Sequence, residues 1–242
     1  MKTAFALLMG LLVLAGSSAQ AADANRVRNL GFSKDGIYYA FIESVVQDGS
    51  GYPAARGFVV EVGKNKLVKY ERVVIQDDSK PEKAAIDEVI KKLGLSNYRI
   101  DGKNLGNTLW VRLPTDLSAA DLALRFSTNY WVDGGASTLS PKYQLQVSEV
   151  EEPMKESCFG MPSALLSVEL AKTNGEGTVS RTVLQKDTRL PKSRNCAHSY
   201  QPRQVIENNG AIVVIVRYST IGFEGPDWEH IAVTASGVLS KE

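Results

Sequence analysis

The chain has 242 residues, of which 43% are hydrophobic, and its 28 basic and 27 acidic residues nearly cancel. This length and apolar content are enough to bury a substantial core, so a disordered protein is not expected. A near-neutral charge without a block of lysine or arginine excludes the electrostatic pattern of a nucleic-acid-binding protein and disfavours binding to anionic membranes.

The first 21 residues have the three-part pattern of a secretory signal peptide. Lys2 precedes an apolar run from Ala4 to Ala15, and small residues then lead to Ala19-Gln20-Ala21. The apolar run is shorter than the roughly 20 residues that cross a bilayer, so we expect cleavage before Ala22 rather than a retained anchor. The sequence therefore predicts a periplasmic or secreted protein with no membrane span after signal cleavage.

Two segments near opposite ends of the chain share one pattern. Each begins with a turn pair, Asp35-Gly36 or Asn209-Gly210, and continues with an apolar run, a glycine- and proline-containing loop and a second apolar run. Such pairs readily adopt the positive φ angles of a type I′ turn between antiparallel strands. We therefore predict two similar β units, near residues 26–62 and 203–235.

The segment GFSKDGIYYAF at residues 31–41 resembles the repeat of TolB-like β-propeller blades, in which an F-S-x-D-G turn links two strands. Blade-like units at both ends fit a closed ring. Two ordinary hairpins in a β-sandwich fit the same pattern. The prediction is a single mainly-β domain over residues 22–242, with antiparallel strands in a propeller-like or β-sandwich arrangement.

Between the two units, the sequence predicts further strands and one or two short helices. Apolar runs bounded by turn residues favour five strands, at residues 66–75, 107–113, 143–150, 164–171 and 178–185. At residues 80–94, the apolar side chains recur at helical spacing up to the stop residue Gly94, which predicts a helix that packs on a sheet. Residues 116–126 fit either a second helix or a turn and strand.

Several motifs occur in a fixed order along the chain: GFSKDGIYYAF, VQDGSGYP, YQLQVSEVEEP, the region of Cys158, LPKSRNCAHSY and GFEGPD. With these motifs, the mature chain resembles the family of predicted secreted bacterial proteins known as domain of unknown function 2259. The resemblance implies export and a shared fold, and it implies no activity. Residues 64–107 correspond least to the family.

Cys158 and Cys196 are the two cysteines of the chain. An exported protein with two cysteines usually pairs them, and closing a loop of this length stabilises by about 4 kcal/mol. One alternative is a reactive thiol-imidazole pair of Cys196 with His198. Another is a zinc site that adds His230 to these three residues, although the C-x-x-C spacing of typical zinc sites is missing.

The two glycine-proline loops hold the candidate ligand-binding residues, which are Asp48, Tyr52, Glu224, Asp227, Trp228 and His230. If the two units are neighbours, these loops share an edge where carboxylates can bind calcium or line a polar pocket. The aromatic residues, together with Tyr130 and Trp131, would form a recognition face there. The plainer alternative is that such loops need small and polar residues only to turn, and that the aromatic residues belong to the core.

No catalytic motif such as G-x-S-x-G occurs in the chain. The sequence therefore predicts a non-enzymatic binding or interaction module of the bacterial envelope, without a cofactor, whose ligand is an unknown protein or glycan. The alternative is a hydrolase that acts on an envelope polymer through loop carboxylates. A metal-binding protein is the third hypothesis.

Overall fold

The structure is a computed structural model that describes residues 25–113, 122–128, 143–153, 158–174, 176–194, 196–222 and 225–239. These residues form three four-stranded antiparallel sheets and one α-helix. The predicted mainly-β fold is therefore confirmed. No helix in these ranges is long and apolar enough to cross a membrane.

The N-terminal sheet is a simple meander of consecutive strands. It consists of β1 (Arg26–Phe32), β2 (Tyr38–Val46), β3 (Pro53–Glu61) and β4 (Lys66–Val74), in that spatial order. The helix α1 (Glu82–Leu93) follows β4 and packs on the outer face of this sheet.

The other two sheets are built from the rest of the chain. The mid-chain sheet has the order β6 (Ala123–Phe126), β7 (Tyr143–Glu152), β8 (Ser163–Thr173) and β9 (Val179–Lys186). The central sheet has the order β12 (Pro226–Ala235), β11 (Ala211–Ile221), β10 (His198–Asn208) and β5 (Asn107–Val111). The described residues also form short 3-10 helices at Val62–Lys64, Leu95–Tyr98 and Lys192–Arg194.

The layers stack in the order helix, N-terminal sheet, central sheet and mid-chain sheet. Alternate residues of β11 point to opposite neighbours: Val213 and Ile215 pack with the N-terminal sheet, whereas Ile212, Val214 and Val216 pack with the mid-chain sheet. Because both faces of β11 are covered, its sequence is a continuous apolar run rather than an alternation. A sandwich-like arrangement fits these layers. A propeller ring is not confirmed.

The two predicted turn pairs differ in geometry. Asn209 and Gly210 have φ angles of 53° and 82°, so they form the predicted type I′ turn between β10 and β11. At the other end, Gly36 has a positive φ of 73° but Asp35 does not. The β1–β2 connection is a longer loop in which the N–H of Gly36 donates to the Ser33 carbonyl, at 2.9 Å. The prediction of a type I′ turn was wrong there, because Asp35 accepts a hydrogen bond from the Ser33 hydroxyl instead of entering the turn's left-handed region.

The helix lies where the apolar spacing predicts it. Ala85, Val89 and Leu93 are buried against the sheet, and Gly94 ends the helix in the left-handed conformation with φ 61°. A Cβ atom at Gly57 would lie 2.7 Å from Cδ1 of Leu93, so the glycine in β3 allows this close approach. Of the uncertain segment at residues 116–126, residues 123–126 form β6 and residues 116–121 lie outside the described ranges.

Candidate functional site

A cleft of about 500 Å³ lies where the three sheets meet. Its floor is part of the N-terminal sheet, at β3 and β4, beyond the edge of the central sheet. One wall is the edge strand β12, and another is the segment between β9 and β10, which contributes Pro191, Ser193 and Arg194. The cleft exists because β12 ends the central sheet before the N-terminal sheet is fully covered.

An aromatic row crosses the floor of the cleft. Phe41, Phe58 and Tyr70 are direct neighbours on β2, β3 and β4, and their ring centroids lie 4.6 Å and 5.3 Å apart. Phe41 is fully buried, whereas Tyr70 is 45% exposed, and the adjacent Leu67 is 48% exposed. The row therefore leads from the core to an open apolar mouth, a combination that is typical of ligand-binding sites.

A buried network of charged side chains lies at one end of the cleft. Glu43 Oε2 accepts hydrogen bonds from the backbone N–H and from Nδ1 of His230, each at 3.1 Å. Arg56 contacts two carboxylates: its Nη2 lies 3.0 Å from Glu43 Oε1, and its Nη1 lies 2.5 Å from Glu229 Oε1. The Tyr218 hydroxyl donates to Glu229 Oε2 at 2.7 Å. The network joins the N-terminal sheet to the central sheet.

Burial and pairing act on the pKa values of Arg56 and Tyr218 in this network. Burial acts to lower the pKa of Arg56, but Glu43 and Glu229 outweigh it and raise that pKa above its ordinary value. Burial, reinforced by Glu229, raises the pKa of Tyr218, which therefore stays a hydrogen-bond donor. Since a carboxylate only accepts hydrogen bonds, the contact with Glu43 places the proton of a neutral His230 ring on Nδ1 and leaves Nε2 as an acceptor.

The other end of the cleft is closed by Asn65, which has a left-handed backbone with φ 47°. Its side-chain amide donates to Gln185 Oε1 at 2.7 Å and accepts the backbone N–H of Thr234 at 2.9 Å. The Thr234 hydroxyl also donates to the carbonyl of Val62, at 2.8 Å. All three sheets are therefore tied together at this end.

The wall formed by residues 187–194 is held in place by a buried ion pair. Arg194 lies 2.7 Å from the Asp187 carboxylate and donates to the Tyr200 hydroxyl at 2.9 Å. Just beyond this segment, Cys158 and Cys196 form a disulfide with an S–S distance of 2.06 Å. An ion pair and a disulfide therefore hold this side of the cleft in place.

The disulfide confirms the predicted pairing of Cys158 with Cys196. Because both thiols are consumed, the thiol-imidazole pair with His198 and the four-residue zinc site are wrong. His198 instead lies beside the Ser219 hydroxyl, with Oγ 3.0 Å from Nδ1. Within the described ranges, no group of three or more His, Cys, Asp or Glu residues could hold a metal ion.

The structure separates the predicted loop residues. His230 lies in the charged network and lines the large cleft, whereas Asp227 lines a second cavity of about 80 Å³. Gln47, the neighbour of Asp48, lines that small cavity too, so the inner ends of the two loops approach each other. Tyr52 lies at the end of the first loop, where its N–H donates to the Ser50 hydroxyl at 3.2 Å.

The remaining predicted aromatic and acidic residues have other positions. Trp228 packs under the Arg217 guanidinium, 4.1 Å from the ring centroid, and its carbonyl accepts a hydrogen bond from Asn25. Neither cavity has Trp228 in its lining. Glu224, Tyr130 and Trp131 lie outside the described residues.

Sequence reasoning missed Glu43, Arg56, Glu229 and Asn65. A signal was present for Glu43, because it continues the inward-facing alternation of Tyr39 and Phe41 and is therefore a charged residue at a core position. Its partner His230 lies 187 residues away, so the pairing required the tertiary fold.

The fold and the site together define a layered β protein with an open cleft of ligand size. The family model for predicted secreted proteins (DUF2259) matches residues 40–236 of this chain. The chain belongs to that family of predicted secreted proteins. A comparison with curated proteins found no match.

Proposed function

We propose that the protein is an exported binding protein that holds a small amphipathic ligand in the cleft between the three sheets. The observation that carries this proposal is the aromatic row, which ends exposed at Tyr70 beside the charged network of Arg56 and Glu229. The row offers contact to an apolar group, and the network offers donors and acceptors to a polar one. The protein acts in the periplasm or outside the cell, as its secreted family supports.

The cleft replaces the two loops as the main site in this proposal. The loop residues Asp48, Tyr52, Asp227 and Trp228 do not line the large cleft. The small cavity near Asp227 has room for little more than ordered water. Contact of the loops with a protein or glycan stays a separate prediction.

The proposal is tested by identifying molecules that co-purify with the protein from its native host. Leu67→Trp puts a large side chain at the mouth of the cleft, where Leu67 is 48% exposed. The matched control is Val111→Trp, because Val111 is 47% exposed on β5, the opposite edge of the central sheet. Mass spectrometry of extracts should find a compound that is retained by the wild type and the control but reduced at least tenfold in Leu67→Trp. The same compounds in all three extracts would contradict the proposal.

A hydrolase is the second candidate, and the Glu43–His230 contact favours it. A carboxylate that fixes the tautomer of a histidine is the arrangement of a general base and its orienting group. This version uses the cleft instead of the loop carboxylates. Release of soluble fragments from peptidoglycan by the wild type, abolished in His230→Gln, would support it. Equal release by both proteins, or none by the wild type, would count against it.

A further inference from the structure

The edge strand β12 directs three backbone amides away from its partner β11. The N–H groups of His230 and Thr234 donate to side chains of the N-terminal sheet and its 3-10 turn, Glu43 and Asn65. An amide with such a partner is not bonded across the β11–β12 ladder. Because the outward direction recurs at every second residue of an antiparallel strand, Ala232 must point the same way.

Ala232 lies in the middle of the cleft wall, between the two occupied positions. Among the described residues, no side chain is hydrogen-bonded to its backbone amide. A single residue thus offers one N–H and one C=O to the cleft, both directed outward from the sheet. This is the pattern by which an exposed sheet edge accepts an extended peptide.

Resting on the proposed function, we infer that the ligand of the cleft is a short extended peptide that pairs with β12 at Ala232. The distance from residue 230 to residue 234 along a strand is about 13 Å, which limits the paired segment to roughly three residues. The occupied amides at both ends of this stretch prevent longer pairing. The site is therefore selective for short peptides.

The central residue of the peptide has an apolar side chain. A residue directly opposite Ala232 shares its face of the sheet, and Ala232 packs with the apolar cluster on the N-terminal sheet. The side chain opposite it is therefore directed at the floor of the cleft, where Phe58, Leu67 and Tyr70 lie. An aromatic or large aliphatic side chain fits this floor.

The test uses three probes, N-acetyl-Ala-X-Ala-amide with Phe, Tyr or Leu at X, and isothermal titration calorimetry on the purified mature protein. For the tightest of them, N-methylation at the amide nitrogen of X removes the donor to the Ala232 carbonyl. On the protein side, Ala232→Pro removes the outward N–H without affecting a ladder hydrogen bond, a substitution that edge strands tolerate. Ala232→Ser changes the side chain but keeps the amide, so the difference between the two variants reports the contribution of the N–H group.

Relative to the unmodified probe on the wild type, we expect N-methylation or Ala232→Pro to weaken binding by about 3- to 10-fold each, and Ala232→Ser to weaken it less than Ala232→Pro does. Binding that is unchanged by N-methylation, or no binding of any probe to the wild type, overturns the inference. If Ala232→Pro does not fold, the test rests on the wild type, whose affinity for the tightest probe is compared with its affinity for the N-methylated probe. A host compound that is retained by the wild type and lost in Leu67→Trp, together with no binding of the probes, leaves the proposed function intact and refutes only the peptide.

Discussion

The side-chain amide of Asn65 accepts the backbone N–H of Thr234 at 2.9 Å, across the boundary between the N-terminal and central sheets. The same amide donates to Gln185 in the mid-chain sheet. One side chain therefore connects three sheets whose contacting residues are distant in sequence.

Asn65→Gly tests this connection, because glycine readily adopts the left-handed backbone and lacks the side-chain amide. We expect the free energy of unfolding to fall by about 1–3 kcal/mol, since the hydrogen-bonding groups of Thr234 and Gln185 lose a partner. Urea denaturation measures the change. Asn209→Gly is the matched control, because Asn209 has a similar φ of 53° in a hairpin turn, where glycine is readily accepted. Equal losses in both variants would show that the Asn65 contacts add nothing.

Glu43→Gln should be strongly destabilising. The Glu43 side chain is 1% exposed and contacts both Arg56 and His230, so the substitution leaves the Arg56 charge with fewer partners. Removing one member of a buried ion pair costs roughly 3–5 kcal/mol. The control is Glu169→Gln in the exposed pair with Arg181, where we expect a change below about 1 kcal/mol. Similar values for the two variants in urea denaturation would refute a structural role for the buried network.

The disulfide should contribute substantially to stability. Replacing Cys158 and Cys196 together with alanine should lower the free energy of unfolding by about 2–5 kcal/mol, because the unfolded chain regains the freedom of the closed loop. Dithiothreitol should lower the stability of the wild type by a similar amount and should not affect the double variant. To ensure complete reduction, the wild type is unfolded in dithiothreitol and then refolded. An unchanged free energy of unfolding after this treatment would contradict the expectation.

Stability should decrease as the pH falls from 7 towards 5.5, partly through His198. Burial lowers the pKa of this imidazole below its ordinary 6.5, while Glu149 opposes the shift. Below pH 6.5 the unfolded chain therefore binds more protons than the folded chain, so the free energy of unfolding rises with pH in this window and levels off above it. His198→Gln should give a smaller slope in denaturation experiments across pH 5.5–7. An unchanged slope would exclude His198 as a contributor.

The parts of the fold that depend on neighbouring residues were predictable, and those that depend on distant contacts were not. Turn residues and apolar spacing indicated β4, β7, β8, β9 and α1 close to their observed bounds. The place of β5 at the edge of the central sheet was not predictable, because Asn107 pairs with Glu207, one hundred residues away. The disulfide was predictable because the chain has two cysteines and its sequence predicts export to an oxidising compartment.

Of the residues that form the candidate site, the sequence predicted only His230. His230 was selected because it follows a glycine-proline loop, whereas its position in the structure is explained by Glu43, which the loop pattern does not contain. The aromatic row is invisible in the sequence because each ring comes from a different strand and only the register of β2, β3 and β4 aligns them. Local sequence patterns show which strand a residue belongs to. They do not show which residues of different strands become neighbours, and the site consists of such neighbours.

The order of the layers has a consequence for how the chain reaches its native state. The central layer is formed mainly by β10, β11 and β12, which follow the described strands of both outer sheets along the chain. These strands cover Tyr39 and Phe41 of the N-terminal sheet on one side, and Leu166 and Val168 of the mid-chain sheet on the other. Because the layers meet through contacts between residues that are distant in sequence, we expect the complete fold to form slowly.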